Sequence, residues 1–282
     1  MNKKSLLNKN TSVKKRLMFN RKYLSIPYGA FMLIFTVVPI FILLFYAFSK
    51  RGSFGNELTF DFTMQNFISF FSGTNLKLIS RSLWIGLLTT AICLLIGYPT
   101  AYILANKKYN TSKTLILLFV LPMWINFLLR TLATKAMFDF IGISLGMGTV
   151  IFGMVYNFLP FMILPIYTTI QKIDKSLIEA ANDLGASNNQ TFSKVILPLS
   201  LPGILSGITM VFTPTITTFV VSDMLSNNKI SLIGNAINNS IGQLDYNTAS
   251  AMSMIILVLV GVTMLVVNRY DKDKTSAGGG LW

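Results

Sequence analysis

The chain has 282 residues, of which 52% are hydrophobic and only 12% charged, with a mean hydropathy of +0.60. That balance excludes an ordinary soluble domain and points to an all-α polytopic membrane protein. The net charge of +14 does not indicate a nucleic-acid partner, because the basic residues sit at the edges of apolar runs, where they set topology and attract anionic lipid.

Residues 1–26 form a basic arm holding Lys3, Lys4, Lys9, Lys14, Lys15, Arg16, Arg21 and Lys22. Six apolar stretches follow, at 27–48, 80–104, 114–134, 147–170, 201–222 and 249–268. Each is about the 20 residues that a helix needs to cross a hydrocarbon core. The first exceeds a cleavable signal core, although Ala47-Phe48-Ser49 resembles a cleavage site, and it reads as an uncleaved span. Between spans one and two, the segment 54–72 carries Phe54, Phe60, Phe62, Phe67, Phe70 and Phe71. Phe67, Phe70 and Phe71 fall on one helical face, so a short interfacial helix is expected there. The single cysteine, Cys93, lies in mid-span; it can form no internal disulfide and reads as a packing residue.

Span three contains Trp124, Asn126 and Arg130, the last two four residues apart and so on one helical face. Two roles suit Arg130: an anchor that snorkels at the outer interface, or a group facing a subunit interface or cavity. Prolines punctuate five of the six spans, at Pro39, Pro99, Pro122, Pro160, Pro165 and Pro214. Each removes a backbone hydrogen bond and can kink its helix.

Orientation follows from lysine and arginine. The arm, the turn with Lys107, Lys108 and Lys113, the loop 171–200 with Lys172, Lys175 and Lys194, and the tail 269–282 with Arg269, Lys272 and Lys274 carry most of the charge. The alternate loops hold only Lys50, Arg51, Lys77, Arg81, Lys135 and Lys229. Both termini and the loop 171–200 are therefore expected in the cytoplasm, flanking a transmembrane domain over 27–268.

That loop is unlike its surroundings. Glu179, Ala180 and Ala181 favour helix, and Gly185 can take the positive φ that ends one. Ser187 to Ile196 can begin a second short helix, which Pro198 is expected to stop. No phosphate-binding Gly-x-x-x-x-Gly-Lys-Ser/Thr stretch occurs, there is no histidine, and the ten carboxylates form no cluster with metal-ligand spacing. Neither paired acids nor an activated nucleophile is visible inside the spans. The chain reads as a non-enzyme with no cofactor of its own.

The full spacing, Glu179-Ala180-Ala181, three residues including Asp183 and Leu184, Gly185, nine residues, then Val195-Ile196-Leu197-Pro198, resembles the cytoplasmic coupling loop of bacterial ABC importer permeases. Val195 stands where that loop often has isoleucine, a swap of similar volume. The Phe-Leu-Leu-Arg-Thr of 127–131, the stretch Gly153–Tyr167, the run Leu232-Ile233-Gly234-Asn235 and the tail Gly278–Trp282 resemble the spermidine/putrescine transporter permeases, the tail matching Gram-positive members.

The resemblance implies a type I ABC importer (MetI-like) permease fold in a bacterial cell membrane. It also implies a second homologous permease subunit, two ATP-binding subunits that hold ATP and Mg, and an extracellular polyamine-binding lipoprotein. Glu179, Ala180, Ala181, Asp183, Leu184, Gly185, Leu197 and Pro198 would then couple to the ATPase. A polycation pathway calls for carboxylates and aromatic faces. Asp139 and Asp223 are the candidate acids, and Trp124, Asn126, Tyr156, Asn157 and Phe212 the candidate liners. Two other readings stand beside this one. A permease for an amino acid, sulfate or iron would share the loop, whereas a stand-alone secondary carrier calls for inverted repeats and a midplane ion site, neither of which the sequence shows.

Overall fold

The computed structural model describes residues 27–51, 58–71, 74–106 and 115–278. The basic arm, Phe54, the turn with Lys107, Lys108 and Lys113, and the last four residues of the tail lie outside them.

Helix α1 (Pro27–Phe48) is span one and is almost bare of protein contact, with 6% of its apolar window buried. Its far end is tied down. A short antiparallel hairpin, β1 (Ser49–Arg51) and β2 (Leu58–Phe62), follows, and then α2 (Gln65–Phe70). The side-chain amide of Asn66 donates to the carbonyls of Ala47 and Ser49, both at 2.9 Å. Asn247 donates to Tyr46 and Ser49 at 3.0 and 2.8 Å. A short helix is present where one was expected, as α2, but its phenylalanines do not share one role. Phe70 is fully buried and packs with Met252 and Ile256, whereas Phe71 is 57% exposed.

Three helices form the centre: α3 (Thr74–Ala105), α6 (Met147–Gln171) and α10 (Leu201–Thr217). Every pair among them closes on a glycine, as bilayer helices do when backbones must approach. A Cβ on Gly97 would stand 2.9 Å from Met162 across α3 and α6, and one on Gly86 3.0 Å from Ile216 across α3 and α10. Gly203 and Gly207, one turn apart on α10, lie against α6. A Cβ on Gly203 would stand 2.8 Å from the Pro165 carbonyl, and one on Gly207 2.7 Å from the Met162 sulfur and 3.2 Å from its carbonyl. The thioether can swing aside but the carbonyl cannot. Gly207→Ala is therefore expected to cost about 1 kcal/mol and to lower the melting temperature by about 2–4 °C. A thermal melt in detergent checks this, and an unchanged midpoint would mean the two helices are less tightly held.

Two of the expected spans are broken. Span three is not one helix over 114–134 but α4 (Leu115–Trp124) and α5 (Phe127–Ile141), meeting at 99°. The reason is local: Asn126 leaves helical geometry, with ψ 130, and its side chain accepts the Leu128 N–H at 2.8 Å as the cap of α5. Asn126 and Arg130 therefore flank the start of a helix and do not share a mid-span face. Span five ends at Thr217, and after Thr218 and Phe219 a separate helix, α11 (Val220–Ser226), turns back against α5 and α6. Helix α12 (Ile233–Gly242) follows. Then α13 (Tyr246–Gly278) supplies span six, its apolar part running Tyr246–Leu265. Among the described residues four helices are long and apolar enough to cross a membrane alone, and counting each of two bent pairs as one span brings the number to six.

Candidate functional site: the Glu179–Pro198 segment

Leaving α6, the chain is recaught by Asp174, whose carboxylate accepts the Ser176 N–H at 3.0 Å and caps α7 (Lys175–Asp183). That backbone N–H holds the Asp174 carboxyl below its ordinary range, helped by the Ser176 side chain. The end of α7 explains the spacing of the motif. Gly185 has φ +79, its N–H reaches the Asn182 carbonyl at 2.9 Å, and the Ala186 N–H reaches back to the Ala181 carbonyl at 3.0 Å. This pair of bonds is a Schellman closure, which needs a left-handed residue at that place. Ala181 thus receives the bond that Gly185 makes possible.

The second half starts at once. Ser187 and Gln190 form a reciprocal capping box, with Ser187 N–H to Gln190 Oε1 at 2.9 Å and Gln190 N–H to Ser187 Oγ at 3.4 Å. Helix α8 (Asn188–Thr191) runs into a π-helical turn (Phe192–Ile196) and then α9 (Leu197–Leu199). Pro198 does not stop this helix. It lies inside the continuous helical run 188–199, one residue before its end; the direction changes after Leu199, by 59° into α10. The halves are clamped by Thr191, buried, whose hydroxyl donates to Asn182 Oδ1 at 3.2 Å.

The outer face of the segment is open. No residue of α7 is buried. Glu179, Ala180, Asp183 and Pro198 are exposed, Ala181 is partly covered, and Leu184 is 89% exposed. Leu177, Leu197 and Leu199 add exposed apolar surface beside Lys172, Lys175 and Lys194. Exposed leucines among charged side chains, on a pair of short helices joined by the Thr191–Asn182 bond, suit a protein partner.

The residues proposed to line a pathway do not converge. Trp124, Asn126 and Asp139 are exposed on α4, at the break and on α5. Phe212 is packed with Ile216 and Ile233, and Asn157 is fully buried. Asn157 donates to Thr131 Oγ1 at 3.2 Å, while its backbone carbonyl receives Arg130 at 3.3 Å. Arg130 is 6% exposed, so it does not snorkel. Its second Nη donates to the Pro122 carbonyl at 2.8 Å and its guanidinium lies 5.8 Å from the Tyr156 ring.

Asp223, half-buried on α11, accepts from the side chain of Asn235. Asn235, part of the Leu232–Asn235 run, is the hub of that end of the molecule. Its Oδ1 takes the Leu232 N–H at 2.6 Å and the Ser222 hydroxyl at 2.9 Å. An asparagine within an apolar run was the signal that could have marked it.

The sequence of residues 97–274 matches the family of binding-protein-dependent transport system inner membrane components. The chain belongs to that family. Among curated relatives of this inner membrane component is the spermidine/putrescine transport system permease protein PotB of Haemophilus influenzae, 34% identical over 261 residues, 86% of this chain and 91% of the relative. PotB of Escherichia coli is 35% identical over 229 residues, 75% and 83% of the two chains. The fold is that of ABC importer permeases. The match to a bacterial alginate ABC transporter has a TM-score of 0.61 at 17% identity, covering 93% of this chain and 98% of that one. An inward-facing methionine transporter, MetNI, gives 0.54 at 20% identity, covering 72% and 94%.

Proposed function

We propose that this inner membrane component is the permease subunit of an ATP-driven importer for polyamines, and that it forms the pathway without hydrolysing ATP itself. The observation that carries the reading is the identity to spermidine/putrescine permeases across nine-tenths of a relative's length. ATP and Mg belong on separate ATP-binding subunits, two per transporter, with a second homologous permease and an external polyamine-binding protein completing it. The lysine bias supports a cytoplasmic loop 171–200 and cytoplasmic termini. On that side Glu179, Ala180, Ala181, Asp183, Leu184 and Gly185 offer the exposed surface that an ATPase groove would receive, with Leu197 and Pro198 at its root.

Uptake by proteoliposomes holding the whole transporter tests the reading, with spermidine, putrescine and unrelated solutes as competitors. Saturable spermidine uptake that needs ATP and is displaced by putrescine alone is expected. Uptake insensitive to either polyamine would overturn it. Asp223 supplies the candidate carboxylate for an incoming cation. Asp223→Asn keeps an oxygen for the Asn235 amide but removes the charge, so uptake is expected to fall most at low ionic strength, where attraction is least screened. Equal uptake by the variant at all salt concentrations would remove Asp223 from the pathway.

A further inference from the structure

We infer that Tyr98, on α3, is a positioning residue that passes movement of the Glu179–Pro198 segment into span two. The inference rests on the coupling reading above and names the joint through which coupling leaves the segment. Covalently the segment joins α6 before it and α10 after it, the latter through the bend at Ser200. Side chains add a connection to α3. The Tyr98 hydroxyl meets Ser200 Oγ at 3.0 Å, with Ser200 fully buried and Tyr98 nearly so. Ser200 Oγ also holds the Leu197 carbonyl at 2.9 Å, so the bond lands on the bend itself. Phe192 opens the π-helical turn and stands edge-on to Tyr98 and Tyr102, with ring centroids 5.9 and 5.2 Å away.

Both sides of this joint can give. A π-turn holds one extra residue in the helical register and is frequent at functional sites. On α3 the next residue is Pro99, which cannot donate to the carbonyl four residues back and so weakens the helix at that turn. A rigid aromatic and hydroxyl contact between two deformable helical turns transmits displacement, whereas either turn alone would absorb it.

The test uses the complete transporter in proteoliposomes, with spermidine uptake and phosphate release measured on the same vesicles. Tyr98→Phe and Ser200→Ala each delete the bond from one side, and Phe192→Leu removes the edge-on ring. Each is expected to leave ATP hydrolysis near wild type while the ATP used per spermidine imported rises by about 2- to 30-fold, the range for residues within a coupling network. The double variant Tyr98→Phe/Ser200→Ala should be no worse than the poorer single one, since both remove one bond. A merely structural role would lower both rates together. An unchanged ratio in Tyr98→Phe and Ser200→Ala overturns the inference, and if Tyr98→Phe does not accumulate, Ser200→Ala decides. Gly185→Val separates the two claims: uptake surviving that change defeats the coupling reading, while uptake lost there with an unchanged ratio at Tyr98 defeats the joint alone.

Discussion

Gly185→Val is expected to abolish uptake while the protein still inserts and accumulates. A Cβ at Gly185 meets nothing within 4 Å, so crowding is not the cause. The cost lies in the backbone: at φ +79 a β-branched residue is strained by about 2 kcal/mol or more. The chain can escape by unwinding the Schellman closure, which frees the Ala181 and Asn182 carbonyls into water at the exposed end of α7. Global folding is barely touched, because no residue of α7 is buried. What changes is the angle between α7 and α8, and with it the position of Leu184 against a partner. Substitutions should therefore be graded. Asn, which tolerates the left-handed region, should keep most uptake, Ala should be intermediate and Val inactive. ATP-dependent uptake at matched protein levels reads the series, and Val performing as well as Asn would show that the turn is not what couples.

The long helices were legible because hydropathy reports length. The expected 80–104 and 147–170 lie inside Thr74–Ala105 and Met147–Gln171. Span three misled because a window average of about 19 residues cannot register one asparagine leaving helical geometry to cap the next helix. Gly185 was legible, since few residues other than glycine close a helix this way. The π-turn after it was not, because it depends on Phe192 docking against Tyr98 and Tyr102, some ninety residues earlier in the chain. The pathway was least legible of all. An aromatic residue in an apolar run carries no mark of which way it faces, and Phe212 turned into the core while Trp124 turned out to 78% exposure.

The break in span three also sets the role of Arg130. A guanidinium in a hydrocarbon-depth helix costs about 3 kcal/mol by insertion scales, and the polar partners assigned to it are carbonyls, not carboxylates. Two charge-assisted bonds contribute about 1.5–3 kcal/mol each, enough to offset that cost. Their geometry matters as much as their strength. Pro122 lies in the last turn of α4, where the helix dipole is negative and its carbonyl otherwise takes the Ile125 N–H at 3.3 Å, and Asn157 lies on α6. One planar fork thus straps the end of α4 to α6 across the 99° turn.

Arg130→Ala is expected to destabilise by about 3 kcal/mol, because it removes both bonds and opens a cavity in a close-packed region. Arg130→Met should fall nearer 1 kcal/mol: it refills the space and relieves the buried charge, as apolar replacements of buried ions often do. Arg130→Lys keeps the charge but reaches one carbonyl with a compact ammonium, so it should be worse than its charge suggests and leave the α4–α5 angle loose. Thermal melts in detergent rank the three, and spermidine uptake shows whether the strap serves transport beyond stability. Lys matching Arg in both measurements would reduce Arg130 to a point charge and refute the bidentate strap. Met retaining its fold but not uptake would place the α4–α5 turn in the transport cycle.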